Sequence, residues 1–279
     1  MRLDEALTEG SGVYFEGTLI EALQTPYQLI EVFDTPALGK LMRIDGANMT
    51  SEGDEFFYHE SLVHPAAIAH PCPRNVLVIG GGDGGACEEI LKHPSIKRVV
   101  LAELDAGVIE MAKRHLSSVH RNVFANPKLE VRIVDGVTFV RSTAEHFDLI
   151  YLDLTDPDGP AAAIYSRAFF GELQKALSPG GALVLHIGSP FAHPERVSAS
   201  VADLCTVFEQ VTPYFVHIPT YGALWGFAIA SATIDPLALS ATEVDNRLNQ
   251  RSVMDRQFYS GDTHRALLAL PAYIERLFG

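Results

Sequence analysis

The residues best equipped for chemistry are carboxylates at regular stations along the middle of the chain. The run Val76-Leu-Val-Ile-Gly80-Gly81-Gly82-Asp83-Gly84-Gly85 contains GxGxxG (Gly80, Gly82, Gly85) after an apolar stretch. Glycines there allow a tight turn and close approach of a ligand to the backbone. Glu103 follows about 20 residues on, where an acid grips ribose hydroxyls. On these residues alone a nicotinamide-dependent dehydrogenase is an open reading. Asp83 weighs against it, because a carboxylate inside the loop repels a pyrophosphate. A phosphate-free nucleoside bearing positive charge, such as S-adenosylmethionine or its decarboxylated form, suits the loop better. Asp83 as a cap of the following helix stays open, alone or together with ligand binding. Asp135 (before Gly136), Asp153 and Asp156 stand at or just beyond the ends of later apolar runs. Gathered in one crevice, these five acids repel one another unless a cation binds or some are protonated. Asp158 lies in a Pro/Gly turn and reads as a solvated turn residue.

These acids need a scaffold. From Asn75 onward, apolar strands alternate with helical segments. Strands are expected at 76–79, 98–102, 129–134, 149–152 and 183–187, and helices at 86–93, 106–116, 167–177 and 195–209. Continuous apolar strands with helical crossovers mean a mostly parallel, doubly wound α/β sheet covered on both faces. Ligands bind such sheets at the carboxyl ends of the strands. Tyr214–Ile218 and Trp225–Ser231 read as a hairpin-like pair, followed by helical segments. Before residue 60 the pattern is different: Leu29–Phe33 and Lys40–Ile44, with turns at Asp34-Thr35-Pro36 and Asp45-Gly46, predict a small antiparallel sheet. Residues 54–69 read as a helix, with Asp54 as a cap or first-turn acid and a break or kink at Pro65. The division is thus a β-rich N-terminal domain at 1–60 and a Rossmann-like domain at 61–279.

The 279 residues are 47% apolar and 20% charged, a globular mix, with a formal net charge of −14. So acidic a chain repels phosphate backbones and anionic lipids, which leaves nucleic acid and membrane as poor partners and cationic small molecules as good ones. No run approaches the roughly 20 apolar residues of a membrane span, and the first ten residues lack the apolar segment of a signal peptide. Cys72, Cys87 and Cys205 are far apart, which argues against a disulfide framework or cysteine zinc site and fits a cytoplasmic protein.

Eight segments, in order, resemble the polyamine aminopropyltransferases (spermidine synthase and relatives). They are Ile44-Asp45-Gly46, Asp54-Glu55-Phe-Phe-Tyr58-His59-Glu60, Gly80–Gly85 with Ile90-Leu-Lys-His93, Glu103-Leu-Asp105, Val134-Asp135-Gly136, Asp153-Leu-Thr-Asp156-Pro-Asp-Gly-Pro-Ala161, Ile218-Pro-Thr-Tyr221 and His264-Arg-Ala-Leu-Leu-Ala-Leu-Pro271. The resemblance implies a methyltransferase-like Rossmann domain behind a small β domain, and a homodimer or homotetramer. It implies that Gly80, Gly82, Asp83, Gly85, Glu103, Asp135 and Gly136 bind the nucleoside co-substrate, decarboxylated S-adenosylmethionine. Within that set Glu103 would hold the ribose, Asp135 the adenine amino group and Asp83 the aminopropyl amine. Asp153 would be the catalytic proton acceptor, with Tyr58, His59, Asp156 and Tyr221 positioning a small cationic amine. No prosthetic group or metal is implied.

The expected reaction carries the aminopropyl group to a primary amine, putrescine giving spermidine and methylthioadenosine. The alternatives are a longer acceptor such as spermidine, N-methylation of a small amine by S-adenosylmethionine, and a non-enzymatic relative. Met49 stands where the family often has Gln, and Glu88 where it often has Arg. His59, the Leu62-Val-His-Pro65 run and Trp225-Gly226 resemble the branch that includes thermospermine synthases. His59 and His64 nearly match a zinc-protease pair, but five positions separate the rings by about 140° around a helix. Trp225, Phe169 and Phe170 are expected in the core, and the remaining histidines at the surface or in the core.

Overall fold

The computed structural model describes residues 1–154 and 164–279. The chain opens with an antiparallel hairpin of β1 (Arg2–Thr8) and β2 (Ser11–Glu16). A four-stranded antiparallel meander follows: β3 (Thr18–Gln24), β4 (Leu29–Thr35), β5 (Gly39–Ile44) and β6 (Ala47–Ser51). Asp45 and Gly46 bridge the Ile44–Ala47 pair with φ of 49° and 84°. This two-residue turn with left-handed conformations throughout is what Asp-Gly favours. The sequence signalled β4 and β5. It did not signal β1–β3, whose side chains are largely exposed and show no clean apolar alternation.

Helix α1 (Glu55–Ala69) continues through Pro65, where a break or kink was expected. Proline deprives the Ser61 carbonyl of its helical donor. The Tyr214 hydroxyl takes that place at 2.9 Å, and the Tyr151 hydroxyl donates to Val63 O at 3.0 Å. Because α1 passes position 60 without interruption, we propose that the division between the β-rich segment and the remainder lies before Glu55.

The large sheet has seven strands in the order β12-β13-β11-β10-β7-β8-β9. These are β7 (Asn75–Gly80), β8 (Arg98–Glu103), β9 (Leu129–Ile133), β10 (Phe147–Asp153), β11 (Leu177–Gly188), β12 (Gln210–Ile218) and β13 (Ala223–Ser231). β7 to β11 pair in parallel, and β13 inserts between β11 and β12, antiparallel to both. The intervening helices are α2 (Gly85–Leu91), α3 (Ala106–His115), α4 (Ser117–His120), α5 (Gly136–Ser142), α6 (Arg167–Ala176) and α7 (Pro194–Cys205), with α8 (Ala241–Gln250), α9 (Gly261–Leu268) and α10 (Ala272–Glu275) closing the chain. Alternation along β7 sends Val76 and Val78 into one core and Leu77 and Ile79 into the other, so both sheet faces are covered. No helix among the described residues is long and apolar enough to cross a membrane. The three cysteines are free thiols.

Candidate active site

The carboxyl ends of β7, β8 and β10 open into a cavity of about 590 Å³. Gly80, Gly82, Asp83, Glu103, Asp135, Gly136, Asp153, Tyr58, His59 and Tyr221 all line it. Asp156 lies outside the described residues, as does Asp158. Gly80, Gly81 and Gly84 hold φ of 78°, 69° and 85°, a region that side chains rarely enter. Gly85 does not line the cavity. A Cβ on it would stand 2.2 Å from the His59 ring, so its contribution is the space it leaves for that ring.

At the end nearest β8, Glu103 is buried, and one oxygen accepts the Asp105 amide at 2.8 Å. Burial pushes its carboxyl up to about 7. Asp135 caps α5 through Thr138 N and Oγ1, at 2.8 and 2.7 Å, while still lining the cavity. Asp105 caps α3 and also accepts from Thr25 Oγ1 at 2.7 Å and Gln28 Nε2 at 3.0 Å. It thereby ties the N-terminal meander to the turn between β8 and α3 at the cavity's rim.

Asp83 lines the cavity and also touches the start of α2. One oxygen accepts Gly85 N at 3.0 Å at the start of α2, and the other faces His59 Nε2 at 3.4 Å. His59 Nδ1 meets Glu55 Oε2 at 2.7 Å, an i,i+4 pair on α1. Burial works against charge on this ring, but Asp83 and Glu55 outweigh it and raise the His59 pKa well above the usual histidine range. Burial likewise opposes ionisation of Asp83, and the His59 cation overcomes it and holds that carboxyl low. Atoms of His59, Asp83 and Asp153 lie within 4.8 Å of one another, a spacing compatible with a metal ion. Asp83 and Glu55 flank the ring, and with Asp153 they surround it as an acidic cradle.

Asp153, the last residue of β10, is pushed up to about 6 by burial and by the Asp83 charge, with His59 and the Tyr58 hydroxyl opposing. Its Oδ2 has no hydrogen-bond partner among the described residues. Tyr58 and Tyr221 stand edge to face at 6.2 Å between ring centroids, and Trp225 lies 4.8 Å from Tyr221. The Tyr221 hydroxyl donates to Met49 O at 2.9 Å. Asp54 occupies the N-cap position of α1 but makes no cap hydrogen bond there. Its carboxylate instead accepts Thr220 N at 2.6 Å and Thr220 Oγ1 at 2.5 Å, fixing the turn that carries Tyr221.

Trp225, expected in the core, is half-buried against it and also lines the cavity. Only its position, four residues after Tyr221 on a strand leaving the sheet's ligand end, could have signalled this. His186 at the end of β11 and Glu5 of β1 were also missed and face the same space. The buried histidines fall into separate sets: His64 and His93 pair at 3.0 Å behind α1, away from the cavity lining.

A family model described as spermine/spermidine synthase domain matches residues 55–238. The polyamine aminopropyltransferase of Nitrosomonas europaea is 49% identical over 98% of this chain and 84% of that protein. The polyamine aminopropyltransferase 2 of Hyperthermus butylicus is 39% identical over 98% of this chain and 90% of that protein. Among solved structures, a spermidine synthase in complex with the transition-state analogue AdoDATO superposes with a TM-score of 0.93, at 31% identity, over 100% of this chain and 95% of that one. The spermidine synthase of Thermotoga maritima gives 0.92 at 32% identity, over 100% of this chain and 94% of that one. With two thirds of its length under the family model and a near-complete relative at almost half identity, the chain belongs to the spermine/spermidine synthase family and is an aminopropyltransferase.

Proposed function

We propose that the enzyme transfers the aminopropyl group of decarboxylated S-adenosylmethionine to putrescine, giving spermidine and methylthioadenosine. The observation that carries the reading is Asp153: a strand-end carboxyl that lines the cavity, is pushed up to about 6, and has its buried Oδ2 unpaired among the described residues. Such a group binds an alkylammonium and takes its proton. The neutral amine then attacks the carbon beside the sulfonium, and the thioether leaves uncharged. In this reading Glu103 accepts the two ribose hydroxyls, Asp135 faces the adenine amino group and Asp83 holds the donor's ammonium. Tyr58, Tyr221 and Trp225 flank the methylene chain of the acceptor, and Asp156 is proposed to hold its distal ammonium. Asp83 also disfavours the carboxylate that only S-adenosylmethionine carries, which supports the decarboxylated donor.

The test is product analysis with putrescine and each sulfonium in turn. Methylthioadenosine from the decarboxylated donor is expected, and adenosylhomocysteine from S-adenosylmethionine would overturn the reading in favour of methylation. Extensive chelation leaves the rate intact if the cradle serves ammonium groups, whereas a loss restored by a divalent metal would refute that. The acceptor is read from kcat/KM for putrescine, cadaverine, agmatine and spermidine. Met49 makes one wall apolar and adaptable, so a broad acceptor range is expected, with putrescine first. A preference for spermidine of about tenfold, or 1.4 kcal/mol, would replace putrescine and leave the reaction class standing.

A further inference from the structure

We propose that Asn48 selects the acceptor amine: its side-chain oxygen receives an N–H from the acceptor nitrogen that does not react. The inference rests on the reading that the acceptor carries a second nitrogen, as putrescine does. Asn48 lies on β6, is buried and lines the cavity. Its Nδ2 donates to Thr220 O at 3.3 Å, and its backbone amide donates to Glu5 Oε2 at 2.8 Å. The Nδ2 bond fixes which way the side-chain amide points, because the flipped group would set its oxygen against the Thr220 carbonyl. Oδ1 is then left as an acceptor, buried and without a partner among the described residues. A buried acceptor left unpaired is costly, and such an orphan calls for a donor from a ligand or an ordered water.

The local backbone places this group with some care. Arg43 pairs with Asn48 and Met42 with Thr50, so Met49 is an extra residue in the ladder. A bulge of this kind bends its strand and re-aims a side chain, and bulges gather beside active sites. Met49 O in turn accepts the Tyr221 hydroxyl at 2.9 Å. Two bonds therefore staple Asn48 and Met49 to Thr220 and Tyr221, and Asp54 holds Thr220 through its N and Oγ1. Asn48 is thus fixed beside Tyr221, in the half of the cavity assigned to the acceptor. An alkylammonium offers three donors and no lone pair, which is what an acceptor-only oxygen requires. The attacking nitrogen gives its proton to Asp153, so the partner of Oδ1 is the other nitrogen. Its three donors leave room for the contact proposed for Asp156 as well. Hydrogen bonds from a charged donor are the strong ones, and an amide oxygen accepts one without adding charge to a cavity whose acids already repel one another.

The full-length enzyme tests this with two variants and two amines. Butylamine is putrescine without its second nitrogen, and it is measured as a competitive inhibitor against putrescine. Asn48→Leu keeps the branched shape and removes both polar atoms. It should lower kcat/KM for putrescine about tenfold or more, while the inhibition constant of butylamine and the affinity for methylthioadenosine change little. Asn48→Asp keeps an oxygen acceptor and gives up the Nδ2 donor, so it should retain most of the preference for putrescine. Wild-type kcat/KM for putrescine in Asn48→Leu would overturn the proposal. So would equal losses for the two amines, or an Asn48→Asp enzyme as poor as Asn48→Leu, since either result assigns the residue to shaping the Tyr221 turn alone. Should Asn48→Leu lose methylthioadenosine binding, Asn48→Ala takes its place with the same expectation. Failure of the underlying reading is distinguishable, because the wild-type enzyme would then form no methylthioadenosine with putrescine.

Discussion

Three carboxyls within one cavity are given different proton affinities by their surroundings. Asp83 is kept ionised by the His59 cation, while burial pushes Asp153 to about 6 and Glu103 to about 7. Asp153→Asn keeps the shape of the acceptor but cannot take a proton. Turnover should drop by about 10²–10⁴-fold, with methylthioadenosine binding close to wild type; wild-type single-turnover rates would move the role elsewhere. Glu103 makes a second, independent prediction. Its carboxylate form accepts both ribose hydroxyls and does so more strongly than the protonated form, and the sulfonium favours that form as well, so donor binding lowers a pKa that is raised in the free enzyme. Donor affinity is therefore full above about pH 7 and declines as pH falls through 7. Below that pH, calorimetry in buffers of differing ionisation heat should register proton release on binding. Release of none would mean that Glu103 does not contact the donor as proposed.

Helix α1 carries more of the site than its sequence pattern reveals. It presents Glu55, Tyr58 and His59 to the cavity and is buried on nearly every side, so it shows little amphipathic signature. Pro65 within it is tolerated because Tyr214, on β12, donates to the carbonyl that proline orphans. Tyr214→Phe should cost about 1–3 kcal/mol by leaving that carbonyl unpaired. In a Pro65→Ala background the helix supplies its own donor, and the cost should shrink; equal costs in urea melts of both backgrounds would refute the compensation. The example marks where sequence reading stops. The parallel strands, the glycine loop and the strand-end acids were legible because burial on both faces imposes continuous apolar runs and the loop imposes glycines. Long-range replacements such as Tyr214 for a proline leave no local trace. The exposed strands β1–β3 and the small helix α5 carry no periodicity strong enough to read. The cavity-facing side of Trp225 was not legible, because an aromatic on a strand reads as core whether its exposed face meets a helix or a cavity.

At the scale of the whole molecule, a net charge of −14 surrounds a cavity whose proposed ligands are cations. The acids near its floor repel one another less when ammonium and sulfonium groups sit among them, so each substrate contributes to the stability of the site it occupies. The surrounding field acts earlier, by raising the local concentration of polycations and guiding their approach. Salt screens that field over about 10 Å at 0.1 M, whereas buried contacts inside the cavity are screened far less. Raising ionic strength should therefore lower kcat/KM for the amine several-fold while leaving kcat nearly unchanged. Methylthioadenosine, which is neutral, supplies the internal control: its affinity should be nearly independent of salt. If kcat falls in parallel with kcat/KM, salt is acting on the bound state and the steering account fails. If affinity for the neutral nucleoside falls as well, the salt effect lies in the protein's conformation rather than in the charge of its ligands.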